Sequence, residues 1–170
     1  MSGTVSPRGP LLIDSDGGVD DALAMLAAQW VDPSDIILTS VFGNVAVAQA
    51  TRNLSLLASR IGLAGAMVWE GAASASDGFT TDATHVHGSD GLGGVTQAMQ
   101  AQPVNTAPLD TLLAQLRGSP NPRKVSLLGI GPATNIPRLI EAIGLASIQD
   151  VTLMTASVFD TGNITQWAEF

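Results

Sequence analysis

LLIDSDGGVDDALAML, residues 11–26, is the stretch on which the fold turns. Leu11, Leu12 and Ile13 form a short apolar run that stops at Asp14-Ser15-Asp16-Gly17-Gly18. This reads as a buried strand breaking into a turn that glycine permits. From Asp20 to Val31, Ala, Leu and Met recur at helical spacing, and the acidic residues fall in the first turn, where the helix dipole favours negative charge. Asp32-Pro33-Ser34 ends that helix.

Working outward, the same alternation repeats. Ile36 to Phe42 is β-branched and apolar, a second strand broken by Gly43-Asn44. Val45 to Ile61 reads as a helix and Ala66 to Trp69 as a third strand. Gly71 to Gly94 is rich in Gly, Ser and Asp without periodicity, the pattern of a functional loop. Pro108 to Arg117 reads as a helix, Lys124 to Leu128 as a strand, Thr134 to Ile143 as a helix, and Val151 to Met154 as the start of another strand. Strands alternating with helices of this length predict an α/β fold, a predominantly parallel sheet flanked by helices. Ligands of such sheets sit at the carboxyl ends of the strands. Asp14 and Asp16, Gly43-Asn44, Gly129-Ile130-Gly131 and Asn163 are all expected at that rim.

Composition sets the outer limits. The 170 residues fit one domain, and an apolar share of 45% excludes disorder. Fifteen acidic against seven basic side chains give a net charge of −8. That balance excludes a nucleic-acid groove, which needs clustered positive charge. The lack of cysteine excludes disulfides, thiolate metal sites and cysteine nucleophiles. Residues 1–10 carry no apolar stretch and are expected to be a flexible segment rather than a signal peptide, with residues 11–170 in one domain. No apolar run is long enough to span a bilayer, so a soluble, cytoplasmic protein without membrane partners is expected.

Asp14, Asp16, Asp20 and Asp21 place four carboxylates within eight residues, and no Lys or Arg occurs between Arg8 and Arg52. Such a group cannot be both buried and ionised without a counter-charge. A hard divalent cation, Ca²⁺ or Mg²⁺, suits all-oxygen ligation. Asp20 and Asp21 are adjacent in a helix and point about 100° apart, so one can face an ion and the other a ligand beside it. His85 and His87 lack a third soft ligand for zinc. Asn53 and Thr134-Asn135 read as structural, serving turns and a helix start.

Leu12 to Leu26, LIDSDGGVDDALAML, resembles the signature of the inosine–uridine-preferring nucleoside hydrolases, whose usual form is DTDPGxDDAxAL. TSVFGN at 39–44, QATRN at 49–53, HVHGSDGLGG at 85–94, GIGPATN at 129–135 and GNITQWAEF at 162–170 follow in family order. The resemblance implies a Rossmann-like fold and hydrolysis of the N-glycosidic bond of ribonucleosides to ribose and free base, with one Ca²⁺ holding the ribose diol and the attacking water. It implies that Asp16 is a metal ligand and the general base, that Asp21 is a second ligand, and that Ile130 is a ligand through its main-chain carbonyl. Asp20, Asn44, His87, Met154, Asn163 and Glu169 would contact substrate, and Trp167 is the tryptophan to test against the base. It further implies a homo-oligomer, dimer or tetramer.

Three departures stand out. Gly17 replaces the usual Pro, and Thr155-Ala156 the usual Gly-Gly beneath the sugar. The family also runs to roughly twice this length and takes a further Asp ligand and a His from the remainder, so the chain alone is expected to be inactive. Two other readings stay open. Asp14-x-Asp16-Gly17 after a strand also suits a haloacid-dehalogenase-like Mg²⁺ phosphatase, although Gly18 and Lys124 fit that chemistry poorly. The third is a non-catalytic remnant that binds ribosides.

Overall fold

The computed structural model describes residues 9–28, 35–63, 65–99, 102–118 and 123–155. Among these residues six strands form one all-parallel sheet: β1 (Leu11–Ser15), β2 (Ile36–Ser40), β3 (Met67–Glu70), β4 (Asn105–Pro108), β5 (Val125–Gly129) and β6 (Ile148–Leu153). The order across the sheet is β4-β3-β2-β1-β5-β6. The chain thus steps outward from β1 to β4, then returns to lay β5 on the other side of β1. The reversal point lies between β1 and β5, and in open α/β sheets the ligand crevice opens there, beyond the carboxyl ends of the strands.

Period-two alternation along β1 assigns its side chains to two layers. Ile13 packs with Met25, Leu38, Leu54 and Val68 in the layer of α1 (Val19–Ala28) and α2 (Val47–Arg60). Leu12 packs with Leu109, Leu113, Leu127 and Leu139 in the layer of α4 (Leu109–Gly118) and α5 (Ile136–Ile143). The single-turn helix α3 (Thr84–His87) lies in the long connection from β3 to β4. The parity continues past the apolar residues: Asp14 faces with Leu12 toward α5, and Ser15 faces with Ile13 toward α1.

The β4 strand falls where the sequence shows no strand pattern. Its NTAP is mostly exposed and ends in proline, which an edge strand tolerates because only one side of its backbone is paired. Consequently α4 begins at Leu109, after Pro108 rather than with it. Similarly, β6 starts at Ile148, three residues before its apolar stretch. Before β1, the Pro10 carbonyl accepts a hydrogen bond from Ser126 N–H at 3.0 Å. Among the described residues, no helix is long and apolar enough to cross a membrane.

Candidate functional site

Helix α1 buries Asp21, Met25 and Ala28, a single stripe at i, i+4, i+7. Asp21 therefore enters the interior at 2% exposure, while Asp20 beside it stays exposed. The divergence expected of adjacent helical positions is what the fold produces. Ser15, on the α1 face of β1, donates to Asp21 Oδ1 at 2.6 Å, and Gly18 N–H donates to Asp21 Oδ2 at 2.8 Å.

Asp16, 6% exposed, follows the end of β1. Its carboxylate accepts Asn44 N–H at Oδ2 and Asn44 Nδ2 at Oδ1, both at 2.9 Å. The same Nδ2 reaches Asp21 Oδ2 at 3.2 Å, so one amide spans both carboxylates. Two glycines close around Asp16. A Cβ on Gly43 would lie 2.0 Å from Asp16 Oδ2, and one on Gly131 would lie 3.0 Å from Asp16 N. The bare backbone anticipated after β2 and β5 is thus needed for room.

Gly17 adopts φ +74°, a region closed to proline, with its N–H on Ser15 Oγ at 3.2 Å. The turn here differs in backbone from the Pro-containing form of the resemblance, yet Asp16 and Asp21 still converge. Gly18 lies beneath Asn44 and His87: an added Cβ would meet Asn44 Nδ2 at 2.2 Å and His87 Nδ1 at 2.9 Å.

The long connection folds back onto this turn. His87 is buried, and its Nδ1 accepts Val19 N–H at 3.1 Å, which places the ring proton on Nε2. Asp20 Oδ1 lies 3.8 Å from the same nitrogen. Asn53 ties the segments together, donating Nδ2 to Gly17 O at 2.9 Å and to Asp90 O at 2.7 Å. Asp90 accepts the N–H groups of Leu92, Gly94 and Thr96 and the Thr96 hydroxyl. Desolvation opposes its charge, but those hydrogen bonds outweigh it and hold the carboxyl well below the usual range.

On the other face of β1, Asp14 is fully buried. Thr39, its register partner on β2, donates to Asp14 Oδ1 at 2.5 Å, and Asn135 Nδ2 donates to the same oxygen at 2.9 Å. Among the described residues, Asp14 Oδ2 has no hydrogen-bond partner. Asn135 sits at the N-cap position of α5, but its side chain makes no capping bond. It turns instead to Asp14, to Ser40 O at 2.9 Å, and to Ala72 N–H at 3.0 Å. The helix-start role expected from sequence is corrected accordingly.

Burial is the first cause of unusual acidity at all three aspartates. It raises Asp14 to about 6 against the hydrogen bonds from Thr39 and Asn135. Burial and repulsion from Asp21 raise Asp16 to about 8. Asp21 is also raised, by burial first, with hydrogen bonds from Ser15 and Gly18 opposing. Among the described residues no salt bridge reaches any of them. Nor do three or more His, Cys, Asp or Glu side chains gather into a metal cage there. The side-chain donors at the rim are the Asp16–Asp21 pair, with the 130–135 loop pressed against Asp16. This set fits a hard cation: the donors are oxygens, and the buried negative charge lacks a counter-ion.

Ile130 begins that loop, its N–H on Asp14 O at 2.9 Å, and Met154 follows β6 at the same rim, half exposed, its N–H on Gly129 O at 2.8 Å. Asn163, Glu169 and Trp167 lie outside the described residues. Lys124 lies just before β5, at the opposite end of the sheet from Asp14, which removes the lysine a phosphatase would need beside its aspartate. A cavity of about 400 Å³ opens farther along the rim between Glu70, Thr106, Asp110 and Arg138, and none of the clustered aspartates lines it. Sequence reading missed Ser15, Thr39 and the true partners of Asn135, because cross-strand register decides them.

Residues 11–170 match the family profile described as inosine-uridine preferring nucleoside hydrolase. A probable uridine nucleosidase 1 of Oryza sativa subsp. japonica is 33% identical over 95% of this chain and 51% of its own length. A non-specific ribonucleoside hydrolase, RihC, of Salmonella paratyphi A is 36% identical over 94% of this chain and 53% of its own. Among solved structures, a plant nucleoside hydrolase, PpNRh1, superposes with TM-score 0.77 at 26% identity, covering 96% of this chain and 52% of that one. The chain spans about half the length of the curated relatives it matches.

Proposed function

The chain belongs to the inosine-uridine preferring nucleoside hydrolase family, and from that membership we propose that it serves hydrolysis of the N-glycosidic bond of ribonucleosides, yielding ribose and free base. The observation that carries the site assignment is the buried pair Asp16 and Asp21, bridged by one neutral amide and met by no salt bridge among the described residues. Asp16 and Asp21 would hold Ca²⁺ through their side chains and Ile130 through its carbonyl. When bound, the ion supplies a fixed point for the sugar diol and the attacking water, and makes that water more acidic.

The chain's own groups account for the rest. Asp16, at the end of β1 beside Asp21, is suited to take the proton from the water at Oδ as the oxygen attacks C1′. The C1′–N bond breaks toward the base, which leaves with the electron pair and takes up a proton from solvent to become the free base, while Asp16 returns its proton to solvent. Positive charge then develops on the sugar, and a pocket carrying Asp16, Asp20 and Asp21 lowers its energy. Asp20, exposed at the first turn of α1, faces outward to receive a ribose hydroxyl. Asn44 and His87 flank the same opening, and Met154, Asn163 and Glu169 are assigned to the sugar from the family pattern. Cytoplasmic location and a homo-oligomer belong to the same proposal.

The test is calcium titration calorimetry together with ultraviolet detection of base released from inosine and uridine. In a full-length protein that carries this chain, calcium uptake and base release, both lost in Asp16→Ala, are expected. Turnover retained above about one per cent in that variant would refute Asp16 as base. Calcium uptake without base release would give the non-catalytic riboside-binding reading instead.

A further inference from the structure

We infer that Asp14, Thr39 and Asn135 are positioning residues that hold the 130–135 loop in place against the ion-binding carboxylates. The inference rests on the ion-holding reading above and concerns three residues to which that reading gives no role.

Asp14 grips the loop at both ends. Its main-chain oxygen accepts Ile130 N–H at 2.9 Å, and its side-chain Oδ1 accepts Asn135 Nδ2 at 2.9 Å. Between those anchors Gly131 passes so close to Asp16 that a Cβ would stand 3.0 Å from Asp16 N and 3.1 Å from Asp16 Cβ. A displacement of the loop therefore moves Ile130 and Asp16 relative to each other.

Asn135 has no freedom to yield. Both its donors are used, on Asp14 Oδ1 and Ser40 O, and its oxygen accepts Ala72 N–H. Gly71 is what gives the amide its place, since a Cβ there would lie 2.3 Å from Asn135 Nδ2. One fully buried amide thus joins β1, β2, the start of the long connection and α5. Thr39 fixes Asp14 from β2, in register and on the same face of the sheet.

Stability alone does not explain the arrangement. A carboxyl at 0% exposure with one oxygen unpartnered is a costly residue for the centre of a sheet, where an apolar side chain of similar size would pack without penalty. Its oxygens are the part that holds the loop. Partners that orient metal ligands from behind typically change metal affinity 10–100-fold when removed.

The experiment is calorimetric titration with calcium chloride of the unsubstituted chain and of Thr39→Val, Thr39→Ser and Asn135→Ala, with urea unfolding in EGTA alongside. Thr39→Val, which keeps the shape, and Asn135→Ala should bind calcium at least about tenfold more weakly. Thr39→Ser, which keeps the hydroxyl, should recover the affinity. Equal calcium affinity in all four proteins, with unfolding shifted or not, overturns the inference and leaves the three residues a packing role. If the unsubstituted chain takes up no calcium, the ion-holding reading itself fails and takes this inference with it. Should Asn135→Ala not fold, the Thr39 pair decides alone.

Discussion

Asp16→Asn should make the ion-free chain more stable while ending its response to calcium. In the folded state burial and Asp21 raise the Asp16 carboxyl from 3.8 to about 8, so folding at pH 7.5 requires the group to take up a proton it lacks when unfolded. A group raised in the folded state contributes its full stability below its unfolded value, here near pH 4. It loses that contribution as pH rises toward 8. At roughly 1.4 kcal/mol per pH unit, the loss by pH 7.5 is on the order of 5 kcal/mol. Asparagine is neutral throughout and escapes it. It forfeits one of the two hydrogen bonds from Asn44, about 1–2 kcal/mol, leaving a net gain of roughly 3–4 kcal/mol. Urea unfolding in EGTA at pH 7.5 measures this, and excess calcium chloride measures the second half. Saturation at about a hundred times Kd stabilises the unsubstituted chain by roughly 2.7 kcal/mol and the variant by nothing. An Asp16→Asn protein that is less stable in EGTA, or that gains as much from calcium, would refute the picture of Asp16 as a buried carboxyl whose ionisation is opposed until a cation binds.

Three further outcomes follow from the same geometry. Gly17→Pro, which restores the residue usual in the family's motif, should lower stability by about 3 kcal/mol in urea unfolding, because φ +74° is closed to proline and the Ser15 hydrogen bond is lost. Gly18→Ala should weaken calcium binding by calorimetry, since its Cβ would push into the Asn44 amide that spans Asp16 and Asp21. Asp90→Ala should speed hydrogen exchange at Gly94 and Thr96 and cost about 1–3 kcal/mol. Because the Asp90 carboxyl is held below its usual value, its contribution is present above about pH 4 and fades as pH falls further, so the variant and parent should converge in acid.

The parts of the fold legible in the sequence were those set by local pattern. The apolar run before Asp14 and the helical spacing after Asp20 located β1 and α1, and adjacency alone separated the directions of Asp20 and Asp21. What escaped was set by neighbours distant in sequence. Thr39 meets Asp14 only because β1 and β2 pair in that register. Asn135 looks like a helix cap, and only the tertiary packing of Gly71 and Ala72 turns its amide inward. β4 escaped because an edge strand buries little and tolerates Pro108, so it carries no apolar alternation and only one β-branched residue, Thr106.

The choice of asparagine at position 44 ties stability to ion selection. Its amide donates to both carboxylates without adding charge, so the pair is oriented yet keeps its full attraction for a cation. Asn44→Asp tests this with little change of shape. The substitution replaces a shared donor with a third acceptor facing Asp16 and Asp21, and like charges at this distance cannot all ionise. In EGTA at pH 8 the variant should lose about 2 kcal/mol or more, since a buried donor is replaced by an unpaired charge. At pH 5 the loss should shrink as the three carboxyls share protons. Excess calcium should recover most of it at pH 8. A penalty that is the same at both pH values, and indifferent to calcium, would mean that Asn44 serves the turn and not the charge on Asp16 and Asp21.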